Sequence, residues 1–166
     1  MRSEPPAGTV PIRIRQAVPG DAAAWTRLRA ELWPEGTPEE HAEDVRQFFE
    51  RPTHQAGDMP EAVLLAVEED RVVGFAELSR RAYAEGCESS PVGYLEGWYV
   101  VPHCRRKGVG RALLDHFVVW AGAMGCREVA SDAVTDNVIS ARAHRALGFD
   151  EVVAIRCFRR AIVPDA

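Results

Sequence analysis

The 166-residue chain is poor in the residues that build metal or disulfide frameworks. Its four cysteines, Cys87, Cys104, Cys126 and Cys157, are scattered and form no Cys-x-x-Cys pair. That spacing argues against a zinc site and reads as reduced thiols in a cytoplasmic protein. No apolar run is long enough to cross a bilayer, so no membrane partner is expected. Positive charge is not in surplus either: the formal net charge of −5 speaks against a general nucleic-acid binder and leans toward a cationic partner. Internal repeats, low-complexity stretches and interdomain linkers are all missing. Met1–Val10 contains Pro5-Pro6 and no apolar signal core, so residues 1–9 are expected to be a loose tail. A hydrophobic content of 46% suffices for a core, and residues 10–162 are expected to form one domain.

What is present is an alternation of strand and helix periodicities. Val10–Ala17 alternates as a strand does, and Asp21 can cap a helix with Trp25, Leu28 and Leu32 on one face. Thr37-Pro38-Glu39-Glu40 reads as a helix start: a cap, a first-turn proline and Glu40 completing a capping box. That helix turns Val45, Phe48 and Phe49 inward and is expected to end near Pro52. Ala62–Glu68 and Val72–Leu78 flank the turn Glu69-Asp70-Arg71 and predict a hairpin. Tyr83–Pro91 reads as a polar loop and Gly93–Val101 as the next strand. A helix burying Val109, Leu113, Phe117 and Trp120 follows and stops within Gly122–Gly125. Glu128–Asp132 is a short strand, Asn137–Leu147 a helix ended by Gly148, and Val152–Arg160 is predicted to close the sheet. The expected class is α/β (mixed α+β), a central mixed twisted sheet with helices on both faces.

The most informative stretch is Val100-Val101-Pro102-His103-Cys104-Arg105-Arg106-Lys107-Gly108-Val109-Gly110-Arg111. It reads as a strand end, a basic glycine loop and a helix start. Gly108 and Gly110 allow a ligand close to the backbone, and the first N–H groups of the helix lack internal partners. Those donors, the positive helix end and the neighbouring cations suit a pyrophosphate. An ordinary strand-to-helix turn with a solvated basic rim would read similarly. A Walker loop is excluded, because no Gly-x-x-x-x-Gly-Lys-Ser/Thr string exists. A dinucleotide fingerprint fits poorly, because Leu113 stands where a small residue belongs.

Arg105-x-x-Gly108-x-Gly110 resembles the acyl-CoA signature of the GNAT N-acetyltransferase superfamily, whose loop amides hold the CoA pyrophosphate. Asn137-x-x-Ser140-x-x-x-His144-x-x-x-Gly148-Phe149 is similar to a second stretch of that family. There a helix runs beside the pantetheine arm, and a tyrosine near the thioester sulfur is the usual proton donor. His144 occupies the tyrosine position here. Within the superfamily the chain resembles the aminoglycoside 6′-N-acetyltransferases. The resemblance is carried by Leu32-Trp33-Pro34, Gly74-Phe75-Ala76, Glu85-Gly86-Cys87-Glu88-Ser89-Ser90-Pro91, Leu95-Glu96-Gly97 and Ala130-Ser131-Asp132. It runs from Ile12 to Arg160, leaving out only the two tails.

The resemblance implies a GNAT-like fold and acetyl-CoA as co-substrate, with no metal. Acetyl-CoA would lie along Trp98, Tyr99 and Val100, on the loop residues Arg105, Arg106, Lys107, Gly108, Val109, Gly110 and Arg111, and beside Asn137. Trp33 and Tyr83 match aromatic positions of the aminoglycoside pocket, and Glu96 and Asp132 match its acidic positions. Elementary physics agrees: aminoglycosides are polycations, and carboxylates around a cleft bind ammonium groups by charge-assisted hydrogen bonds. Trp33 could equally be a core plug, and Asp132 a turn cap. Val153 stands where relatives have a further acid, with Asp150 and Glu151 nearby.

The implied reaction is direct acyl transfer in a ternary complex, with four catalytic positions. Glu96 or Asp132, directly or through ordered water, takes the proton that the substrate ammonium must lose. A backbone N–H at Val100 polarises the acetyl carbonyl. The departing thiolate is protonated by His144 or by solvent. Family resemblance also implies a homodimer. Two other readings stay open: a related acetyltransferase acting on a polyamine, another small amine or a protein N-terminus, and a non-catalytic CoA sensor.

Overall fold

The computed structural model describes residues 11–51 and 60–161. Val10, the expected helix end at Pro52 and the domain limit at Ile162 lie outside the described residues. The described chain falls into two compact units divided after Asp132.

The first unit holds a five-stranded sheet in the order β1-β2-β3-β4-β5. Its strands are β1 (Ile12–Gln16), β2 (Ala62–Glu68), β3 (Arg71–Arg81), β4 (Val92–Val100) and β5 (Val129–Ser131). The first four form an antiparallel meander, and β5 joins β4 in parallel, so the sheet is mixed as expected. A parallel pair needs a crossover, which α3 (Val109–Ala123) supplies. Helices α1 (Ala22–Leu32) and α2 (Pro38–Glu50) cover the opposite face.

Both faces of β2 and β3 are therefore buried, which explains their nearly unbroken apolar runs. On the α1 and α2 side, Trp25, Leu28 and Val45 meet Val63, Leu65, Val67 and Phe75. Trp25 is wholly buried and receives the edges of Phe48 and Phe49 at 5.1 and 5.9 Å. On the other side α3 buries Val109, Leu113, Leu114, Phe117 and Ala121. Trp120, expected in that stripe, is only half-buried, stacked on Phe117. Glycines at Gly74 and Gly93 admit this helix: a Cβ at Gly93 would come within 2.7 Å of Ala121.

Local signals explain most helix starts. Thr37 Oγ1 accepts from Glu40 N, and the Glu40 carboxylate accepts from Thr37 N, so the capping box forms as read. Asp21 behaves differently from expectation. Its carboxylate makes no bond to α1 but accepts from Val18 N and, at two oxygens, from Arg15. A short 3-10 turn over Pro19–Asp21 precedes α1 and redirects that side chain backwards.

The second unit contains α4 (Val138–Ala146), ended by Gly148 with φ +94°. The strand expected over Val152–Arg160 does not form: these residues carry no regular structure. A strand exists only through its ladder partner, and propensity alone supplies none. Its apolar side chains are correspondingly exposed, Phe158 at 91%.

Candidate functional site

The site begins at an irregularity in β4. Glu77 pairs with Gly97 while the next residue, Leu78, pairs with Leu95, so Glu96 is an extra residue. A bulge lets consecutive side chains leave the strand on the same face. Here Glu96 reaches Ser79 and Arg81 on β3, and the space above Gly97 is filled by the Trp33 ring. A Cβ on Gly97 would collide with that ring, so only glycine fits.

Charge around Glu96 is organised by Arg81. Arg81 donates from Nε to Oε1 at 3.1 Å and from Nη2 to Oε2 at 2.6 Å, the two-pronged geometry of a strong pair. Its guanidinium lies 3.4 Å from the Tyr94 ring centroid, and the Tyr94 hydroxyl donates to Asp132 Oδ1 at 2.8 Å. Burial and the bond to Asp132 push the Tyr94 hydroxyl well above its ordinary range, so it stays a donor. The structure thus brings Glu96 and Asp132 into one network through Arg81 and Tyr94, neither of which the sequence reading had singled out.

Beneath this network lies buried charge. Glu77, 3% exposed, accepts from Trp25 Nε1 at 2.9 Å and from Arg29 Nη1 at 2.5 Å. Burial pushes its carboxyl above the usual range, against the pull of Arg29 and Trp25. Arg29 also donates to Asp44 at 2.8 Å. Arg29, Asp44, Glu77 and Glu96 line a cavity of about 310 Å³. One signal could have revealed this layer: Glu77 is an acid inside the otherwise apolar run Val72–Leu78.

The two candidate aromatics differ. Trp33 is partly buried, tilted against Phe75 at 6.2 Å and covered by the Arg29 guanidinium at 4.8 Å. It is a core plug whose ring packs over Gly97, the residue next to Glu96. Tyr83 stands 67% exposed, two residues beyond Arg81.

At the far end of β4 the glycine loop is built from backbone. Arg106 and Gly108 have φ of +58° and +86°, and Gly108 occupies the cap position of α3. Left-handed residues interleaved in a turn aim successive N–H groups into one concavity suited to phosphate oxygens. Gly108 has open space where a Cβ would be; Gly110 does not, since a Cβ there would lie 2.8 Å from the Trp98 ring. The two glycines therefore do different work, one for conformation and one for room. Arg106, Lys107 and Arg111 are exposed, and Val109 is buried. Arg105 turns back: its Nε donates to the Val100 carbonyl at 2.7 Å and its guanidinium lies 5.2 Å from the Tyr99 ring. The Tyr99 hydroxyl donates to Glu31 at 2.8 Å. The donors at the start of α3 and the open cationic rim fit the pyrophosphate of acetyl-CoA.

Cys104 is buried, and burial together with Glu68 pushes its thiol up, the reverse of what a nucleophile needs. Among the described residues no cluster could hold a metal ion, and no helix is long and apolar enough to cross a membrane.

In the second unit, Asn137 caps α4, its Oδ1 accepting from Ser140 N at 3.0 Å. His144 Nδ1 lies 2.8 Å from the Ser140 carbonyl and 3.2 Å from Ser140 Oγ, with Phe149 edge-on at 5.3 Å. A carbonyl only accepts, so that bond puts the proton of the neutral ring on Nδ1.

Comparison with known proteins finds relatives along most of the chain. Residues 25–149 match the Acetyltransferase (GNAT) family. An aminoglycoside N(6′)-acetyltransferase type 1 of Klebsiella aerogenes is 47% identical over 148 residues, covering 89% of this chain and 95% of that protein. Its counterpart from Stenotrophomonas maltophilia is 47% identical over 155 residues, 92% of this chain and 95% of its own. The structure of AAC(6′)-Iy in complex with the bisubstrate analogue CoA-S-monomethyl-acetylneamine superposes with a TM-score of 0.80 at 35% identity, covering 91% of this chain and 99% of that one. The chain belongs to the GNAT acetyltransferase family.

Proposed function

We propose that this protein is an acetyl-CoA-dependent aminoglycoside 6′-N-acetyltransferase. The observation that carries the reading is the bulge at Glu96, which joins that carboxylate to Asp132 through Arg81 and Tyr94, next to the Gly97 on which Trp33 packs. Relatives of nearly the same length that bear the name aminoglycoside N(6′)-acetyltransferase support it.

Acetyl-CoA supplies the acetyl group as a thioester. Backbone donors of Gly108, Val109 and Gly110 hold its pyrophosphate, helped by Arg106, Lys107 and Arg111, while Trp98, Tyr99 and Val100 border its arm and Asn137, the cap of α4, contributes as the resemblance implies. On the substrate side, Glu96 and Asp132 bind ammonium groups, and Trp33 and Tyr83 offer ring faces to the sugar. An ammonium has no lone pair, so Glu96 or Asp132 removes its proton, directly or through ordered water. The Val100 N–H stabilises charge growing on the acetyl oxygen. The thiolate takes its proton from His144 or from water. His144 can donate from Nε2 only as imidazolium, given its Nδ1 bond to Ser140. Acetylation turns a cation into a neutral amide, which removes charge the antibiotic uses for its target and so confers resistance.

We also infer a cytoplasmic homodimer comprising one domain over residues 10–162. Free cysteines suit the reducing compartment that supplies acetyl-CoA, and the exposed Val152, Ile155 and Phe158 suit a second copy.

The test is acetyl-CoA consumption against kanamycin-type drugs, polyamines and peptides. Turnover with the drugs alone supports the reading. A preference for polyamines or peptides points to another acetyltransferase, and binding of CoA without turnover to a sensor.

A further inference from the structure

Arg29 and Glu77 are both more than nine-tenths buried, an expensive place for charge. Each ion removed from water costs several kcal/mol, and apolar residues of similar volume fill such a space at least as well. Arg29 Nε adds to the cost, being buried with no acceptor among the described residues. Fold stability alone is a poor explanation for this cluster.

Its geometry offers another. Nη1 of Arg29 is tied to Glu77 on β3 at 2.5 Å, and Nη2 to Asp44 on α2 at 2.8 Å. The guanidinium so fixed lies 4.8 Å from the Trp33 ring centroid. Beneath, Trp33 rests on Gly97, the residue paired with Glu77 and next to Glu96. The indole is thus gripped between a cation and a bare stretch of strand. Only a planar fork can hold both carboxylates and still present a face to the ring.

We infer that Asp44, Arg29 and Glu77 form a clamp of positioning residues that holds Trp33 beside Glu96 and thereby sets aminoglycoside affinity. This rests on the proposed function and adds to it three residues that act on the drug through Trp33. The clamp leaves acetyl-CoA binding untouched, since none of its members belongs to the glycine loop.

Arg29→Lys keeps the charge and loses the fork, and Asp44→Asn loosens one prong at a partly exposed position. Both should raise the aminoglycoside KM, Arg29→Lys by about fivefold and Asp44→Asn by about twofold, with kcat and the acetyl-CoA KM nearly unchanged. The deciding readout is coupling. In a Trp33→Phe background, Arg29→Lys should have almost no further effect on the aminoglycoside KM, because the ring it positions has gone. Independent, multiplying effects overturn the clamp, as does a lowered melting temperature with an unchanged KM. If Arg29→Lys does not fold, Asp44→Asn and its cycle with Trp33→Phe decide alone. Wild-type acetylation of kanamycin A separates the two levels: without it the proposed function falls and takes the clamp with it. With it, an unmoved KM overturns only the clamp.

Discussion

On the face of β4 that looks toward α1, charged side chains gather into a network, the proposed drug site: Glu96 at the bulge, Arg81 forked onto it, Tyr94 and Asp132 beyond. Past the end of the same strand, the proposed cofactor loop relies on backbone instead: left-handed Arg106 and Gly108, and a Gly110 that leaves room for the Trp98 ring. The difference follows the chemistry of the two ligands. A pyrophosphate is small, rigid and always anionic, so preoriented N–H groups suffice. A polyamine sugar spreads its charges over several rings, and only side chains reaching in from different strands can match them.

Substitutions at the two ends should therefore separate the two Michaelis constants. The largest effect belongs to the acids. Glu96→Gln or Asp132→Asn keeps size and removes charge, and each should lower kcat/KM for an aminoglycoside by about 1.5–3 kcal/mol, roughly ten- to a hundredfold. The acetyl-CoA KM should stay put, and initial-rate kinetics with each substrate varied will show whether it does. Gly110→Val should do the converse. Its branched side chain would strike the Trp98 ring, and overpacking of this kind costs about 1–3 kcal/mol, so the acetyl-CoA KM should rise around tenfold. Normal CoA affinity in that variant would remove the loop from the cofactor site.

Smaller effects sharpen the picture. His144→Phe should lower kcat severalfold while leaving both KM values alone, if the imidazolium protonates the thiolate. An intact kcat makes the ring a packing partner of Phe149, with water as the acid. Arg106→Ala should be the mildest, less than about twofold in acetyl-CoA KM at ordinary salt, because an exposed cation is screened. A large loss there would mean that side chains, not backbone donors, hold the phosphates.

Legibility in the sequence followed the same division. The glycine loop could be read because its parts are consecutive: strand end, cations, two glycines, helix. The sheet order was mostly legible too, since Ala62–Glu68 and Val72–Leu78 face each other across a tight turn. The acid network was half hidden. Glu96 and Asp132 were visible through resemblance, but Arg29, Asp44, Glu77, Arg81 and Tyr94 come from four elements, and no local pattern joins them. Even the bulge leaves no composition mark; it emerges only from the mismatch in register between β3 and β4. The expected strand over Val152–Arg160 failed for a related reason, because β propensity says nothing about where a partner edge lies. Asp21 failed locally, its carboxylate drawn off by Arg15 and Val18.

On the proposed function, the acidic face of β4 presents one particular amine to the acetyl group. Mass spectrometry of products from kanamycin A and from an analogue with a 6′-hydroxyl decides whether it does. The prediction is a single acetyl on the 6′-nitrogen of kanamycin A and no change in the analogue. The hydroxyl is a poorer nucleophile and leaves a carboxylate without its cation. Acetylation at another amine, or equal reaction of the 6′-hydroxyl analogue, would contradict it.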